Sequence, residues 1–352
     1  MKSEATMRAF VTGSTGMLGH NLVRHLLESG WEVRALVRSV DKAKTLFQSL
    51  TLETVQGDME NVAGFTAALQ GVDAVFHTAA FFREYYQPGD HWAAMKRINI
   101  DATLELIEAA ERAGVATFIH TSSSGTIGNQ HGSSGTEDTP ADAGQLKNLY
   151  FKSKVEGDAA IKKWLEAAPR RMKLVTILPG WMIAPRDAAP TSAGELILNL
   201  IHGKIPGIMD AGTSTVDARD VAAAMLSAVA KGRNGERYIV AGRLVLFKDL
   251  FKGVTAAAGV QMPAFTMPNW LVLTVAALDT WRAQLTKTTP TMPLEGVKTL
   301  LPKHTVSSAK AERELGATFR PIIDTLRDTV HWYAENGYIK LAQTRPAKKI
   351  TP

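Results

Sequence analysis

Three glycines lie at a spacing of three residues in the segment TGSTGMLG. The segment directly follows a predicted strand, RAFVT, and opens a predicted helix over residues 18–29. In this arrangement backbone N–H groups and the positive end of the helix meet a pyrophosphate. The first glycine would permit a tight turn, the second a close approach of the backbone, and the third close packing of the helix. We predict a dinucleotide-binding loop, with a glycine-rich turn that binds nothing as the alternative, and its residues are Gly13, Ser14, Thr15, Gly16, Met17, Leu18 and Gly19.

The end of the second predicted strand, in LVRSVDKAK, would lie beside the adenosine ribose of such a dinucleotide. A carboxylate at this place would bind the two ribose hydroxyls of NAD, whereas Arg38 offers a planar cation that suits the extra phosphate of NADP. Lys42 and Lys44 would assist Arg38, and Asp58, in QGDM after the third strand, is placed to meet the adenine amine. NADP(H) is therefore the expected cofactor, and NAD(H) is the alternative if Arg38 is an ordinary surface arginine.

Tyr150 and Lys154 lie four residues apart in NLYFKSK, a segment of helical character, so their side chains would share one face of a helix. Such a pair is weak evidence on its own. The serine cluster TSSSG, residues 121–125, strengthens it because the cluster directly follows the fifth predicted strand. Open α/β sheets bind their ligands at this edge.

A sheet is required to bring these segments together. Short β-branched runs alternate with longer segments of helical period, which is typical of a parallel sheet covered by helices on both faces. The fold class that we predict is α/β, with a doubly wound parallel sheet of the Rossmann type and a smaller, mostly helical C-terminal lobe. Helices are expected over residues 18–29 and 92–113, and strands are expected to begin at Arg8, Trp31, Leu52, Asp73, Thr117 and Leu174.

The regular alternation of strands and helices breaks up after Pro179. At 352 residues the chain exceeds the roughly 250–300 residues that one hydrophobic core serves, so a second lobe is expected. We predict an NAD(P)-binding domain and a substrate-binding lobe, with flexible ends at residues 1–7 and 341–352. The domain would comprise residues 8–180 with residues 215–242 returning to it, and the lobe residues 181–214 and 243–340.

The order of the motifs resembles that of the extended short-chain dehydrogenase/reductases, in the NAD(P)-dependent epimerase/dehydratase superfamily. The motifs TGSTGMLG, GDM, FHTAA, RINIDAT, FIHTSSSGT, YFKSK and LPGWMIAP occur in the family's order over residues 8–185. Two later segments, VDARDVA and SAKAERELG, resemble its closing motifs. The chain is most similar to dihydroflavonol-reductase-like and hopanoid-associated sugar-epimerase-like bacterial proteins.

The resemblance implies catalytic roles for four residues. Tyr150 would be the general acid/base that gives its phenolic proton to a carbonyl oxygen, and Ser123 would polarise that oxygen, with Ser124 as the alternative serine. Lys154 would lower the pKa of Tyr150 and hydrogen-bond the nicotinamide ribose. Asn99 would steady the site through helix geometry and water, or would be a plain polar residue of its helix. Cofactor contacts, besides those of Tyr150 and Lys154, are implied for Met59, Thr78, Ala79, Ala80 and Pro179.

An aromatic-rich segment, FFREYYQPGDHW at residues 81–92, follows the fourth predicted strand. It would cover the nicotinamide pocket opposite a wall formed by the segment after Pro179, and such crowding suits an apolar or aromatic carbonyl compound. Aromatic side chains that only join the two lobes are the alternative. The candidate substrate-binding residues are Ser123, Ser124, Phe81, Phe82, Trp181 and Met182, with Tyr85 or Tyr86 as further members of the covering segment.

Three functions suit these residues. The first is an NADP-dependent reductase or dehydrogenase that acts on a ketone, an aldehyde or a secondary alcohol. The second is a nucleotide-sugar epimerase, which would recycle its bound NAD(P) and would need phosphate-binding cations such as Arg186, Lys204 or Arg219 in the second lobe. The third is a non-catalytic NAD(P)-binding sensor, which normally lacks the tyrosine and the lysine. We expect the first.

Composition and missing motifs argue against other classes of protein. The chain has no cysteine for a thiolate metal site, no H-E-x-x-H motif and no paired carboxylates, so no metal is expected. The net charge of +6 is modest for this length and does not imply a nucleic-acid partner. The serine cluster lacks the G-x-S-x-G turn of an esterase. His77 and His120, in predicted strands, are expected to be framework residues.

The longest apolar stretch is WLVLTVAAL, residues 270–278. Nine residues cannot cross a bilayer, which needs about 20, so no stable membrane insertion is expected. We expect a buried helix of the second lobe, with a role at a membrane surface or as a lid as the alternative. The segment MKSEATM is not a secretory signal, and a cytoplasmic location is expected. A small-molecule substrate is the expected partner, and the resemblance implies a homodimer through helices near residues 92–113 and 148–167.

Overall fold

The structure, a computed structural model, describes residues 6–82, 89–128, 133–288 and 290–341. Its strands are β1 (Arg8–Thr12), β2 (Glu32–Val37), β3 (Glu53–Gln56), β4 (Ala74–His77), β5 (Thr117–Thr121), β6 (Lys173–Pro179), β7 (Trp181–Ile183), β8 (Ile208–Met209), β9 (Gly212–Asp217), β10 (Arg237–Val240), β11 (Arg243–Leu246) and β12 (Thr266–Met267). Seven of these strands form one parallel sheet in the order β10-β6-β5-β4-β1-β2-β3. The order reverses beside β1, as in a doubly wound fold.

The helices are α1 (Met17–Glu28), α2 (Val40–Leu46), α3 (Trp92–Lys96), α4 (Ala102–Arg112), α5 (Ala143–Lys147), α6 (Leu149–Ala167), α7 (Ser192–Ile201), α8 (Ala218–Lys231), α9 (Phe247–Ala258), α10 (Asn269–Thr286), α11 (Leu294–Leu300), α12 (Ala309–Leu315) and α13 (Ile322–Glu335). Two 3₁₀ segments, Met59–Leu69 and Ser124–Thr126, and a π-helical turn, Arg97–Asp101, complete the list of helical segments in the described residues.

Helices cover both faces of the large sheet. Alternate residues of β1 face opposite ways, so Val11 joins one core cluster and Phe10 the other. On the first face α1 and α8 pack through buried residues such as Leu22 and Val221. On the second face α4 packs through Leu106, together with α6 and the 3₁₀ segment Met59–Leu69. The sheet is therefore held rigidly, and its carboxyl edge can position the loops of a site.

The second lobe has its own apolar core. Its centre is formed by fully buried side chains of α7, α9 and α13, among them Ile197, Phe251 and Val330. A three-stranded sheet in the order β11-β9-β7 and a two-stranded sheet of β12 and β8 complete the lobe. Because β7 follows β6 after a single residue, Gly180, the lobe begins directly at the carboxyl edge of the large sheet.

The six predicted strands of the large sheet are confirmed, each within one residue at its start. The segment 215–242 divides between two sheets: β10 becomes the edge strand beside β6, whereas β9 lies in the small sheet with β7 and β11. Helix α12, expected in the lobe, packs on the large sheet's core through Ala311 and Leu315. The predicted helix 92–113 is interrupted by the π-helical turn Arg97–Asp101.

The expectation of a buried helix at residues 270–278 is wrong for one face of α10. Val272 and Ala276 are buried, but Trp270 is 68% exposed and Leu278 is 61% exposed. The helix is apolar on nearly all sides, and the lobe covers only part of its surface. Within the described residues, no helix has the length and apolar character to cross a membrane.

Candidate active site

One large cleft, of about 1700 Å³, lies between the carboxyl edge of the sheet and the second lobe. Most of the residues predicted from the sequence line it: Gly13, Thr15, Gly16, Met17, Leu18, Gly19, Arg38, Asp58, Met59, Thr78, Ala79, Ala80, Phe81, Phe82, Ser123, Ser124, Tyr150, Lys154, Pro179, Trp181 and Met182. Three predicted residues do not line it: Ser14, Lys44 and Asn99. Tyr85 and Tyr86 lie outside the described residues.

The glycine loop is shaped by contacts that exclude side chains. Gly13 has a φ of +65°, and a Cβ there would lie 2.6 Å from the backbone nitrogen of Ala79. A Cβ on Gly19 would overlap the carbonyl oxygen of Gly13, so the helix packs directly on the loop. Gly16 is the N-cap residue of α1, and no side chain caps this helix. The N–H groups of the first turn have no intrahelical acceptors and face a glycine-lined cradle, which fits the pyrophosphate of NAD(P).

Ser14 belongs to the predicted loop, but its side chain does not line the cleft. Its side chain is fully buried, and its hydroxyl donates to the carbonyl oxygen of Leu36 over 2.8 Å. This hydrogen bond ties the glycine loop to β2. The Ser14 hydroxyl therefore holds the loop in place and does not reach the cleft.

The adenosine end of the cleft carries Arg38, which directly follows β2 and is exposed. Lys42 also lines the cleft, whereas Lys44 is exposed on α2 with its Nζ 3.8 Å from Asp41. The two lysines diverge because residues two apart on a helix do not share a face. Asp58 lines the cleft and accepts a hydrogen bond of 2.9 Å from the N–H of Glu60, so its carboxylate also caps the 3₁₀ segment Met59–Leu69.

Tyr150 and Lys154 are positioned by the first turns of α6. The N-cap residue of this helix is Asn148, whose side chain accepts from the N–H of Phe151. Lys154 is only 3% exposed, and its Nζ donates to the carbonyl oxygen of Thr121 over 2.9 Å. The same Nζ lies 5.9 Å from the ring centroid of Tyr150. Burial lowers the pKa of Lys154 to about 8, and Asp158, one turn further along α6, acts in the opposite direction.

The three serines after β5 have different surroundings. Ser122 donates to the carboxylate of Asp158 over 2.9 Å. Ser123 is half-buried, and its Oγ accepts a hydrogen bond of 3.1 Å from the N–H of Gly125, which fixes the oxygen at the start of a 3₁₀ turn. Ser124 lines the cleft as well but is buried. Ser123 thus has the more accessible hydroxyl of the two predicted alternatives.

Asn99, predicted in the catalytic set, lies behind the cleft wall and does not line the cleft. Its amide oxygen accepts from the N–H of Phe81 over 2.8 Å, and its amide nitrogen donates to the carbonyl of Phe81 and to Ser153. The side chain is 2% exposed in the π-helical turn, so it does not reach the cleft. Asn99 is therefore a positioning residue that fixes the backbone of Phe81, on the cleft wall, against α6.

Aromatic rings line the cleft on both sides of Tyr150. The ring of Phe82 lies 4.6 Å from that of Tyr150, at an angle of 59°. On the lobe side, Trp181 stacks on Phe247 at 5.6 Å and 19°. Sequence reasoning missed a further set of lining residues, because they come from distant segments without a shared motif: Leu196, Met292, Pro293, Val297, Leu300, Asn336 and Tyr338.

His77 and His120 lie behind the cleft wall, as the sequence suggested. Both are buried, and their rings stack at 5.7 Å. His77 shares hydrogen bonds with the hydroxyls of Thr12 and Thr103 at 2.7 and 3.1 Å, and burial lowers its pKa to about 3. A neutral, doubly hydrogen-bonded imidazole of this kind connects β4 to its neighbours and takes no part in the cleft surface.

A doubly wound parallel sheet with a glycine loop after β1 and a Tyr–Lys pair at the same edge defines an NAD(P)-binding enzyme of the extended short-chain dehydrogenase/reductase type. The chain belongs to the NAD dependent epimerase/dehydratase family, whose model matches residues 9–241. It is an NAD(P)-dependent oxidoreductase of this type.

Similar proteins cover nearly the whole chain. A Synechocystis sp. protein that is named, provisionally, a dihydroflavonol 4-reductase is 33% identical over 336 residues, which are 94% of this chain and 96% of that protein. Sterol demethylase protein B of Methylococcus capsulatus is 31% identical over 95% of this chain and 100% of that protein. The crystal structure of gox2253 superposes with a TM-score of 0.79 at 30% identity, over 94% of this chain and 99% of that chain.

Proposed function

We propose that the protein transfers hydride between NADP(H) and a carbonyl or secondary alcohol of a small apolar or aromatic compound, with Tyr150 as the general acid/base. The observation that carries the proposal is the placement of Tyr150 beside the buried Lys154 on the wall that also bears the glycine loop. NADPH, when bound, supplies the hydride. The chain's own residues must then hold the substrate oxygen and deliver a proton to it.

Tyr150 donates its phenolic proton to the substrate oxygen as the carbonyl is reduced. A free tyrosine has a pKa near 10, so the ammonium of Lys154 must favour the phenolate. At 5.9 Å from the ring centroid, a unit charge in an effective dielectric near 20 is worth about 3 kcal/mol, or about two pKa units. With a pKa of about 8, Lys154 is mostly protonated at neutral pH and can supply this field.

Ser123 holds the substrate oxygen beside Tyr150. Its Oγ is fixed by the N–H of Gly125, which leaves the hydroxyl proton to be donated into the cleft. Lys154 is itself fixed by the carbonyl of Thr121, two residues before Ser123. The end of β5 therefore positions both the cation and the serine, and a preorganised pair of donors of this kind favours the transition state for proton transfer.

The lobe wall supports an apolar substrate. Trp181, Met182 and Leu196 line the cleft there, and Phe82 continues the apolar surface beside Tyr150. Apolar walls with a few convergent polar groups are typical of sites for hydrophobic small molecules. The names of the two relatives refer to a dihydroflavonol and a sterol, both largely hydrophobic ring systems.

The epimerase alternative receives less support from the lobe. Of its three predicted phosphate-binding cations, only Arg186 lines the cleft. Arg219 is held by Asp217 and Asp328, each at 2.7 Å, and Lys204 does not line the cleft. Only one of the three predicted cations is therefore placed to meet a nucleoside diphosphate, which favours the smaller carbonyl substrate.

A reductase assay with a Tyr150→Phe variant tests the proposed acid. The purified protein is mixed with NADPH and a panel of hydrophobic ketones and aldehydes, and the loss of NADPH absorbance is followed. Tyr150→Phe removes the proton donor while keeping the ring, so kcat should fall by about 10²–10⁴-fold, with NADPH affinity nearly unchanged. Tyr238→Phe makes the same change to a buried tyrosine off the cleft and should keep turnover. Full activity of Tyr150→Phe, or interconversion of nucleotide sugars without net oxidation, would refute the proposal.

The NADP preference rests on Arg38 and is tested by titrating both cofactors. Arg38→Asp replaces the cation with a carboxylate that repels the extra phosphate and can accept from ribose hydroxyls, so NADPH affinity should fall at least about tenfold while NADH affinity is kept. Lys44→Asp introduces the same charge on the exposed side of α2 and should alter neither affinity by more than about twofold. Equal weakening of both cofactors by Arg38→Asp would show that Arg38 does not bind the phosphate.

A further inference from the structure

Helix α10 presents an apolar strip to solvent. Trp270, Leu278, Trp281 and Leu285 are 68, 61, 60 and 65% exposed. At about 100° per residue their positions fall within an arc of about 80° on one side of the helix. Phe265, just before the helix, is also 52% exposed. Single exposed apolar residues need no explanation, but a contiguous strip with two tryptophans indicates an interaction surface.

The charges on and beside the strip are suited to an anionic partner. The one carboxylate of α10, Asp279, is turned towards the protein, where it accepts from the N–H of Met292 over 2.9 Å and from Arg282 over 2.7 Å. Lys287, the exposed C-cap residue, directly follows the apolar strip. The chain as a whole carries a net charge of +6. An anionic surface would therefore be attracted to the end of α10.

Helix α10 also contacts the segment that leads into α11, which lines the cleft. The N–H of Met292 donates to Asp279, and the N–H of Leu294, the first residue of α11, donates to Thr280 over 3.1 Å. Met292, Val297 and Leu300 line the cleft. A surface that holds α10 would thus lie next to the helix that forms part of the lobe wall of the cleft.

We propose that α10 seats the protein on the surface of a bilayer that contains anionic lipids, with the strip of Trp270, Leu278, Trp281 and Leu285 in the interfacial layer. Tryptophan favours this layer because its ring is apolar and its indole N–H remains hydrogen-bonded. The 18-residue helix lies along the surface and does not span the bilayer. A homodimer through residues 92–113 and 148–167, as the resemblance implies, would leave α10 free for this role. The docking does not depend on the proposed reaction.

Vesicle flotation with the full-length protein tests the docking. The probes are vesicles of phosphatidylcholine alone and of phosphatidylcholine with phosphatidylglycerol, and indole fluorescence reports transfer of tryptophan out of water. We expect binding at least about tenfold stronger to the anionic vesicles, weakened by salt. The double variant Trp281→Ser with Leu285→Ser should lose at least about tenfold in binding while its Tm is kept, since both side chains are mostly exposed.

Leu244→Ser is the matched control, because Leu244 is an exposed leucine of β11, 44% accessible, away from α10. It should bind vesicles as the unmodified protein does. The proposal is overturned if the unmodified protein does not float with either vesicle, or if the double variant still binds. It is also overturned if light scattering shows that the unmodified protein is a dimer and the double variant a monomer. A second copy of the chain would then cover the strip.

Discussion

The two walls of the cleft are built in different ways. On the cofactor wall, the backbone decides the shape: Gly13 touches the main chain of Ala79, and Gly19 touches Gly13. On the lobe side, which is the proposed substrate wall, side chains decide the shape, with Trp181 stacked on Phe247 and α11 packed against α10. A backbone cradle admits one residue type at fixed spacing, whereas a wall of side chains can be assembled from many residues that are distant in sequence.

The walls also differ in polarity. The cofactor wall contains a buried cation, Lys154, bound to the carbonyl of Thr121, and next to it the carboxylate of Asp158 accepts from Ser122. Buried charges of this kind are costly unless their hydrogen bonds are kept, so this wall has little freedom to change. The substrate wall is mostly apolar and packs with half-exposed rings. It can vary while the cofactor wall stays the same, which is consistent with relatives whose names refer to different substrates.

The largest effect is expected from Gly13→Ala on the cofactor wall. The variant places a methyl group 2.6 Å from the backbone nitrogen of Ala79 at a φ of +65°. Left-handed strain costs about 1–2 kcal/mol and overpacking about 1–3 kcal/mol, so the free energy of unfolding should fall by about 2–5 kcal/mol. Denaturant unfolding measures this loss, and NADPH binding should be lost with it.

Gly30→Ala separates the two causes of that loss. Gly30 has a φ of +81°, but a Cβ there would meet nothing within 4 Å. The cost should be limited to about 1–2 kcal/mol of backbone strain, and NADPH affinity should be kept. Equal losses in the two variants would show that the contact with Ala79 does not matter, and that the cofactor wall is no more constrained than an ordinary turn.

The residues proposed for the cofactor wall could be named from the sequence because their constraints are local. The glycines, the residue after β2 and the Tyr–Lys pair each sit at a fixed offset from a strand or on one helix face, and the structure brings all of them to one cleft. Ser14 and Lys44 do not line the cleft, because motif membership does not give the direction of a side chain. Asn99 was expected to steady the site, but its partner could not be predicted, because Phe81 is 18 residues away and is bound through its backbone.

The substrate wall could not be predicted to the same depth. Leu196, Met292 and Tyr338 come together only after α7, α11 and the chain end have packed, and no spacing in the sequence relates them. The exposed face of α10 was missed for a related reason. Its composition is that of a buried helix, and only the tertiary structure shows that the lobe leaves Trp270 and Trp281 uncovered.

Trp181→Ala on the substrate wall is expected to affect substrate binding more than stability. The ring is half-exposed and stacks on Phe247, so the free energy of unfolding should fall by only about 1–2 kcal/mol. NADPH affinity should stay within about twofold, while KM for hydrophobic carbonyls rises about tenfold with little change in kcat, as expected when uniform binding is removed. Trp164→Ala removes another half-buried tryptophan, which lies off the cleft, and should change stability but neither KM nor NADPH affinity. If Trp181→Ala instead weakened NADPH binding as strongly as substrate binding, the two walls would be coupled. The substrate side could then not change independently of the cofactor side.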